Sequence, residues 1–183
     1  TAKVGTLSRK NVLPWSLKIT TATSNAALTA KATAGDLSIG TFTATTADLQ
    51  AGNDLTLTTS TTSGELLATA GRNAVLGTLT SSGDRIKVDT TGTLTATTVK
   101  AAKVVDLSGR AGLTATTLTS TSANIDVDSV AGSVNVKTAN AITSFAARSY
   151  GAMTIGTFGV TAGYASLVSG GMMNLTTGTT TGD

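Results

Sequence analysis

The sequence contains no cysteine and no histidine, and these two absences remove most familiar catalytic and metal-binding chemistry. Without cysteine there are no disulfide scaffolds, zinc–thiolate sites, iron–sulfur clusters or thiol nucleophiles. Without histidine there is no Ser-His-Asp triad, no imidazole metal ligand and no imidazole acid–base catalyst. We therefore predict that the chain is not an enzyme and has no catalytic, cofactor or metal site.

Aromatic residues make up 3 % of the chain and charged residues 13 %, both low for a globular domain. Threonine, alanine, glycine and serine instead supply 104 of the 183 residues, and 40 of these are threonine. The net charge of +3 reflects a basic N-terminal end, because Lys3, Arg9, Lys10 and Lys18 precede the first acidic residue. The other nine basic and ten acidic residues form no basic stripe with interleaved aromatics, so we expect no nucleic-acid partner.

Long apolar runs are also missing from the sequence. None approaches the roughly 18 apolar residues of a membrane span, so we expect no membrane insertion. The opening TAKVGTLSRK lacks the apolar segment of a signal peptide. We expect the chain to be a segment of a longer polypeptide.

The sequence does contain a repeat, marked by glycines that each open an apolar alternation. Within each unit, apolar and polar residues alternate in pairs, which is the periodicity of a strand. A helix would need apolar residues three and four apart, and the abundant β-branched threonine disfavours it. We expect these glycines to lie at corners with positive φ. They are Gly35, Gly52, Gly71, Gly92, Gly112, Gly132, Gly151 and Gly171.

Three apolar pairs fit into each unit, and we expect them to face inward. We therefore predict an all-β fold, a parallel β-helix (β-solenoid) of about nine coils, with roughly 20 residues and three short strands per coil. The general rule for crossover connections, and not these residues, makes the predicted helix a right-handed parallel β-helix. Residues 1–34 are predicted as an irregular segment or first coils with a basic N-terminal end, and residues 35–183 as the β-helix repeats. Representative pairs are Leu37/Ile39, Phe42/Ala44, Ile86/Val88, Val105/Leu107 and Ile125/Val127, with Leu49 and Leu167 less regular.

An antiparallel sandwich or barrel is the main alternative for short alternating strands. That fold would need hairpin turns such as Asn-Gly or Asp-Gly between the strands, and the sequence contains neither. A sandwich also gives no reason for a register of about 20 residues.

Charged residues of the third predicted strand form the best candidate site. The repeat places Lys87, Asp106 and Asp126 on one outward ladder. Asp89, Ser108 and Asp128 lie on the neighbouring ladder. Clustered carboxylates of this kind hold Ca²⁺ in some proteins and act as paired acids in polysaccharide-cleaving enzymes. A solvated charged face that protects the sheet is the simpler interpretation.

A threonine ladder precedes the second predicted strand. Its regular outward spacing resembles the ice-binding face of β-solenoid antifreeze proteins. The next outward column contains Lys100, Asn140 and Gly159, which interrupt the hydroxyl lattice; its other members are Thr43, Thr80 and Thr119. High strand propensity and solubility are an alternative reason for threonine at these positions. The ladder comprises Thr41, Thr78, Thr98, Thr117, Thr138 and Thr157.

The segment before the repeats contains the single tryptophan, Trp15. We expect its ring to cover the open end of the core. A small site for an anionic glycan on Lys3, Arg9 and Lys10 is the alternative. The glycine-rich turns lack the Gly-x-x-x-x-Gly-Lys-Ser/Thr pattern of a phosphate-binding loop.

Units such as GDLSIGTFTATTADLQA (35–51) and GTLTATTVKAAKVVDLSGRA (92–111) resemble the repeat shaft of filamentous-haemagglutinin-type exoproteins. This family comprises the large adhesins and contact-dependent inhibition proteins of two-partner secretion. The resemblance covers roughly residues 35–183. It implies a right-handed β-helix without catalytic residues in the shaft, and the lack of cysteine fits a chain that folds after crossing the outer membrane.

The resemblance therefore implies a structural or adhesive shaft of a secreted or surface-exposed bacterial exoprotein, carrying a distal binding or effector module. Implied partners are a host cell-surface glycan or protein receptor and an outer-membrane secretion transporter. The implied location is extracellular or on the bacterial surface, associated with the outer membrane. Two rival functions are an ice-binding β-solenoid and a polysaccharide-processing β-helix. End-to-end self-association is also expected, because a stack of coils has unpaired strand edges.

Overall fold

A computed structural model describes residues 12–13 and 15–182. These residues form eighteen strands in two nine-stranded sheets, and every pair of neighbouring strands is parallel. The described part of the chain contains no helix that is long and apolar enough to cross a membrane. One sheet consists of β2 (Leu17–Thr23), β4 (Leu37–Ala44), β6 (Leu55–Thr62), β8 (Ala74–Ser81), β10 (Thr93–Ala101), β12 (Gly112–Ser120), β14 (Val134–Ala141), β16 (Met153–Val160) and β18 (Met173–Thr180). The other consists of β1 (Val12–Leu13), β3 (Ala27–Ala32), β5 (Thr46–Ala51), β7 (Leu66–Ala70), β9 (Ile86–Thr90), β11 (Val105–Gly109), β13 (Ile125–Ser129), β15 (Ser144–Ser149) and β17 (Tyr164–Ser169).

Each coil contributes one strand to each sheet, so the chain is a β-solenoid. Eight complete coils run from β2/β3 to β16/β17, with β1 before them and β18 after them. This confirms the predicted parallel solenoid, and the predicted nine coils are close to the eight observed. Equivalent residues at the start of the long strand are Leu17, Leu37, Leu55, Ala74, Leu94, Leu113, Val134, Met153 and Met173.

The coil has two strands and not three, because the first two predicted strands are one continuous strand. In β4, Leu37 and Ile39 point inward, and the next inward residues are Phe42 and Ala44. The step of three residues between Ile39 and Phe42 turns the strand through a corner, since strict alternation would place every second residue inside. The pairing of β4 with β6 in the next coil skips Gly40 at this bend. The residues before and after Gly40 stay paired with β6.

The predicted inward residues do form the core, which runs unbroken through the stack. All of the representative pairs are buried, as is Leu49, and Leu167 is partly buried against the same core. Burying one such aliphatic side chain contributes about 1.5–3 kcal/mol. Phe145 and Phe158 are adjacent inside the core, with ring centroids 5.6 Å apart. Because each coil covers the next, stability comes from the stack and not from any single coil.

The corner glycines are required by close approach of successive coils, and the predicted positive φ is wrong for seven of the eight. Gly112, with φ of 149°, is the only positive-φ glycine in the part of the chain that the structure describes. At Gly92 an added Cβ would lie 2.5 Å from the carbonyl oxygen of Arg72 in the preceding coil. At Gly35 it would lie 2.8 Å from the Cα of Ser16. A side chain at these corners would therefore push two coils apart.

Buried hydroxyls at the corners satisfy the turn backbone and link neighbouring coils. The Ser81 hydroxyl donates to the Gly64 carbonyl oxygen at 2.6 Å and accepts from the Asp84 amide at 3.2 Å. The Ser120 hydroxyl donates to the Lys103 carbonyl and accepts from the Ala123 amide. These bonds match the rule that buried polar groups are hydrogen-bonded, and they explain why serine and threonine enter the core.

The N-terminal strands already belong to the solenoid. β2 and β3 pair in register with β4 and β5, so residues 17–32 form the first coil. Lys3, Arg9 and Lys10 lie outside the described residues. Trp15 is 75 % exposed, so the prediction that its ring covers the core is wrong. An indole with three quarters of its surface in solvent excludes little water from the stack.

Candidate functional site

The structure places the predicted charged residues on the outer surface of the sheet of short strands. Asp106 on β11 pairs in register with Lys87 on β9 and with Asp126 on β13. Ser108 pairs with Asp89 and Asp128 in the same strands. Both predicted ladders are therefore present, and together they form what we call the charged face.

Lys87 pairs with two of the four carboxylates of the charged face. Its Nζ lies 2.8 Å from Asp106 Oδ2 and 3.5 Å from Asp89 Oδ2. The hydrogen bond to Asp106 and the charges of both carboxylates raise the pKa of Lys87, against a smaller opposing effect of burial. The ammonium group therefore stays protonated and bridges two coils.

Asp126 is a partly buried acid of the charged face. Its burial, followed by the negative charge of Asp106 in the preceding coil, raises the pKa of Asp126 above its usual value. The side-chain amide of Asn124 donates to Asp126 Oδ2, and the positive charge of Arg148 acts in the same direction, so both oppose the rise. The folded protein thus disfavours the ionised form of the Asp126 carboxyl relative to the unfolded chain.

A shallow depression of about 260 Å³ opens between these side chains. It spans four coils, from Lys87 on β9 to Arg148 on β15, and small residues at Ser108 and Ala146 leave the space. The depression presents carboxylates, a hydroxyl and two cations to the solvent. Groups of this kind could accept and donate hydrogen bonds to a hydroxyl-rich or zwitterionic molecule.

The charged face does not assemble a metal centre in the described region. There, no group of three or more acidic residues is arranged to hold a metal ion. Calcium requires six to eight oxygen ligands. Asp106 is instead engaged by Lys87, and Asp126 is engaged by Asn124, so the nearest carboxylates already have partners.

Further ion pairs join successive coils outside the charged face. Arg72 Nη2 lies 2.5 Å from Asp54 Oδ2, and this hydrogen bond lowers the pKa of Asp54. Arg85 pairs with Glu65 in the same manner, which raises the pKa of the Arg85 guanidinium. These pairs are largely exposed to solvent, so their effect on stability is small.

The threonine ladder is longer than predicted. All nine long strands carry threonine at this position, and the sequence analysis missed Thr21, Thr59 and Thr177. It also missed Thr23, Thr61 and Thr179 in the neighbouring column. The sequence-based search located the ladder by the apolar residue that follows each threonine. This hid Thr59, which is followed by the inward Ser60, and Thr177, which is followed by Gly178, whereas Thr21 lies in the segment that was not assigned to the repeats. A count by register would have found all three. The full ladder is Thr21, Thr41, Thr59, Thr78, Thr98, Thr117, Thr138, Thr157 and Thr177.

Comparison with protein-family models, curated proteins and solved structures gives no match for this chain. The β-solenoid fold therefore rests on the structure itself. The resemblance to filamentous-haemagglutinin-type shafts stays a prediction from the residues of the repeat.

Proposed function

We propose that this chain is a rigid shaft segment of a large secreted or surface-exposed bacterial exoprotein, which holds a distal binding or effector module away from the cell. The observation that carries the proposal is the unbroken stack. Eight coils share one core and one continuous register, with no insertion that interrupts them. With successive coils about 4.8 Å apart, the described coils form a rod about 40 Å long.

The connections between strands support a structural role. From β2 to β18 every connection has one to four residues. A polysaccharide-processing β-helix needs longer loops to wall a cleft around the acids, and the 260 Å³ depression on the charged face has no such walls. The same short connections suit a shaft, because a rod that transmits force gains nothing from mobile loops.

The proposed partners follow from this role. The shaft presents its outward side chains to a host cell-surface glycan or protein receptor, and its parent protein passes through an outer-membrane secretion transporter. The absence of cysteine supports export in an unfolded form, because no disulfide has to form before or after crossing.

The test is an immunoblot of the source organism with an antibody raised against residues 35–183. We expect a band of several hundred kilodaltons in the surface or culture-supernatant fraction, sensitive to protease added to intact cells. A cytoplasmic marker protein that survives the same treatment is the control. A band near 18.1 kDa, the mass of this chain, would overturn the shaft proposal. A large band that resists protease would overturn the surface location.

A further inference from the structure

The two sheets of the solenoid present outer surfaces of opposite charge. We call the outer surface of the long strands the long-strand face. On the nine long strands that the structure describes, the charged residues are Lys18, Lys100 and Lys137, and no long strand carries an acid. All three lysines are exposed. The long-strand face is therefore purely cationic.

The outer surface of the short strands, which includes the charged face, has the opposite sign. The described short strands carry five acids and three bases, which leaves a net charge of −2. The acids are Asp48, Asp89, Asp106, Asp126 and Asp128, and the bases are Lys31, Lys87 and Arg148. A chain with one cationic and one anionic side is complementary to a second copy of itself.

The fold leaves charges on both surfaces without an ion-pair partner. Lys100 and Lys137 form no ion pair with any residue that the structure describes. On the charged face, Lys87 holds two of the four carboxylates, whereas Asp126 and Asp128 form no ion pair within the described chain. Two ammonium groups and two carboxylates are thus available to a partner.

The topology places these four groups at the same height along the stack. Lys100 lies on β10 and Lys137 on β14, and these strands are two coils apart, about 9.6 Å. Both unpaired acids lie on β13, which comes between these two strands in chain order. Two parallel rods that lie side by side without an axial shift therefore bring the lysines of one rod level with the acids of the other.

We propose that the long-strand face of one copy of this chain binds the charged face of a second copy, side by side. Lys100 and Lys137 of the first copy pair with Asp126 and Asp128 of the second. The two surfaces are different sides of one rod, so the contact is heterologous and further copies can add in the same sense. The proposal goes beyond the shaft function and does not depend on it, since it rests on the charges of the chain itself.

The size of the surfaces makes the contact between single chains weak. A strip of about five residues across and eight coils long measures about 16 Å by about 38 Å, or about 600 Å² per copy. A stable interface buries about 800 Å² per partner. We therefore expect association that increases with protein concentration and that salt suppresses, because the unpaired charges are exposed or half-exposed.

The test is sedimentation velocity of the purified 183-residue chain at an ionic strength of about 0.01 M and of about 1 M, where the Debye length is about 30 Å and about 3 Å. Oligomers formed through apolar strand ends persist at high ionic strength, so the readout is the part of the association that salt removes. The variant K100E/K137E makes the long-strand face anionic. The variant D126K/D128K makes the charged face cationic.

We expect the unmodified chain to show salt-sensitive oligomers and each of these two variants to lose them, because both faces of a variant then carry the same sign. An equimolar mixture of the two variants should regain the oligomers, since each face again meets its opposite. The matched control is K103E/R110E, which changes the net charge by the same amount as K100E/K137E but at exposed turn residues. It should associate as the unmodified chain does, and circular dichroism should be unchanged in all three variants.

Three outcomes would overturn the proposal. One is an unmodified chain in which salt removes no part of the association. The second is an equimolar mixture that stays as dissociated as either variant alone, which would show that these four side chains do not meet. The third is equal loss in K103E/R110E and K100E/K137E, which would mean that net charge, and not the long-strand face, controls the association.

Discussion

Ser60 on β6 is the register partner of Phe42 on β4, and both side chains lie inside the core. The Ser60 hydroxyl is fully buried and has no hydrogen-bond partner among the residues that the structure describes. An unpaired buried hydroxyl costs about 1–3 kcal/mol. Ser60→Ala, which removes the hydroxyl and little volume, should therefore raise the free energy of unfolding by about 1 kcal/mol.

The matched control for this prediction is Ser120→Ala. Ser120 is also a buried serine on a long strand, but its hydroxyl bonds both the Lys103 carbonyl and the Ala123 amide. Its loss should lower the free energy of unfolding by about 1–2 kcal/mol. Urea denaturation followed by circular dichroism measures both variants. A loss of stability in Ser60→Ala equal to that in Ser120→Ala would show that the Ser60 hydroxyl has a partner.

Ser60 also shows where prediction from the sequence stops. Alternation of apolar residues identified the inward positions of most units, because the core accepts few polar groups and the coils repeat in register. In the unit that Gly52 opens, only the second inward pair escaped this search, since Ser60 and Thr62 occupy inward positions that are apolar in β4. Its outward threonines were missed with it. The pattern predicts the fold well and the exposed surface less well.

The charged face also shows which features can be predicted from the sequence and which cannot. Register alone was sufficient to bring Lys87, Asp106 and Asp126 together, because equivalent strands stack directly. Contacts that depend on side-chain length and direction were not predictable, such as the bridge from Lys87 to two carboxylates or the donation from Asn124 to Asp126. The merger of two predicted strands was missed for a similar reason. Alternation shows which residues point inward, but it does not show whether the backbone stays hydrogen-bonded around a bend.

The contributions of Asp126 and Asp54 to the free energy of unfolding should depend on pH in opposite directions. Burial and the charge of Asp106 raise the pKa of Asp126 above its unfolded value of 3.8, so the folded state binds that proton more tightly. Its contribution is most favourable below pH 3.8 and is lost as the pH rises through the folded pKa. Asp126→Asn should therefore raise the free energy of unfolding at pH 7 and lose this advantage in acid.

The control is Asp54→Asn, where the sign reverses. The hydrogen bond from Arg72 lowers the pKa of Asp54, so its ionised form stabilises the fold above pH 3.8 and the effect is lost as the pH falls through the folded pKa. We expect Asp54→Asn to destabilise slightly at pH 7. Thermal melting of both variants between pH 3 and pH 7 provides the measurement. Shifts of equal sign for the two variants at pH 7 would contradict the assignment.

Gly92 should tolerate alanine poorly even though its φ is not positive. In an open position, alanine for glycine stabilises by about 0.4–1 kcal/mol because it restricts the unfolded chain. At Gly92 the new Cβ would lie 2.5 Å from the carbonyl oxygen of Arg72 and from Asn73 Oδ1, so the corner must open. Gly92→Ala should lower the free energy of unfolding by about 1–3 kcal/mol.

Gly159→Ala is the matched control on the same solenoid. Its nearest neighbour would be the side-chain oxygen of Asn140 at 3.3 Å, and that side chain can move. We expect no loss of stability, and the small entropic gain is available here. Chemical denaturation measures the free energy of unfolding of Gly92→Ala and Gly159→Ala. Equal destabilisation at both positions would mean that backbone conformation, and not the approach of neighbouring coils, selects glycine at the corner.

The last long strand of the isolated 183-residue chain should promote association. Met173 and Leu175 on β18 occupy positions that are buried in the strand before it, yet each is 43 % exposed. Unpaired edges and uncovered apolar positions together favour the addition of another strand. We expect sedimentation velocity to show reversible oligomers that increase with protein concentration. Leu175→Lys should reduce them strongly, whereas Met172→Lys, at an exposed turn position next to the same strand, should reduce them less. A chain that remains monomeric at high concentration, or equal effects of the two variants, would exclude the β18 end as the contact.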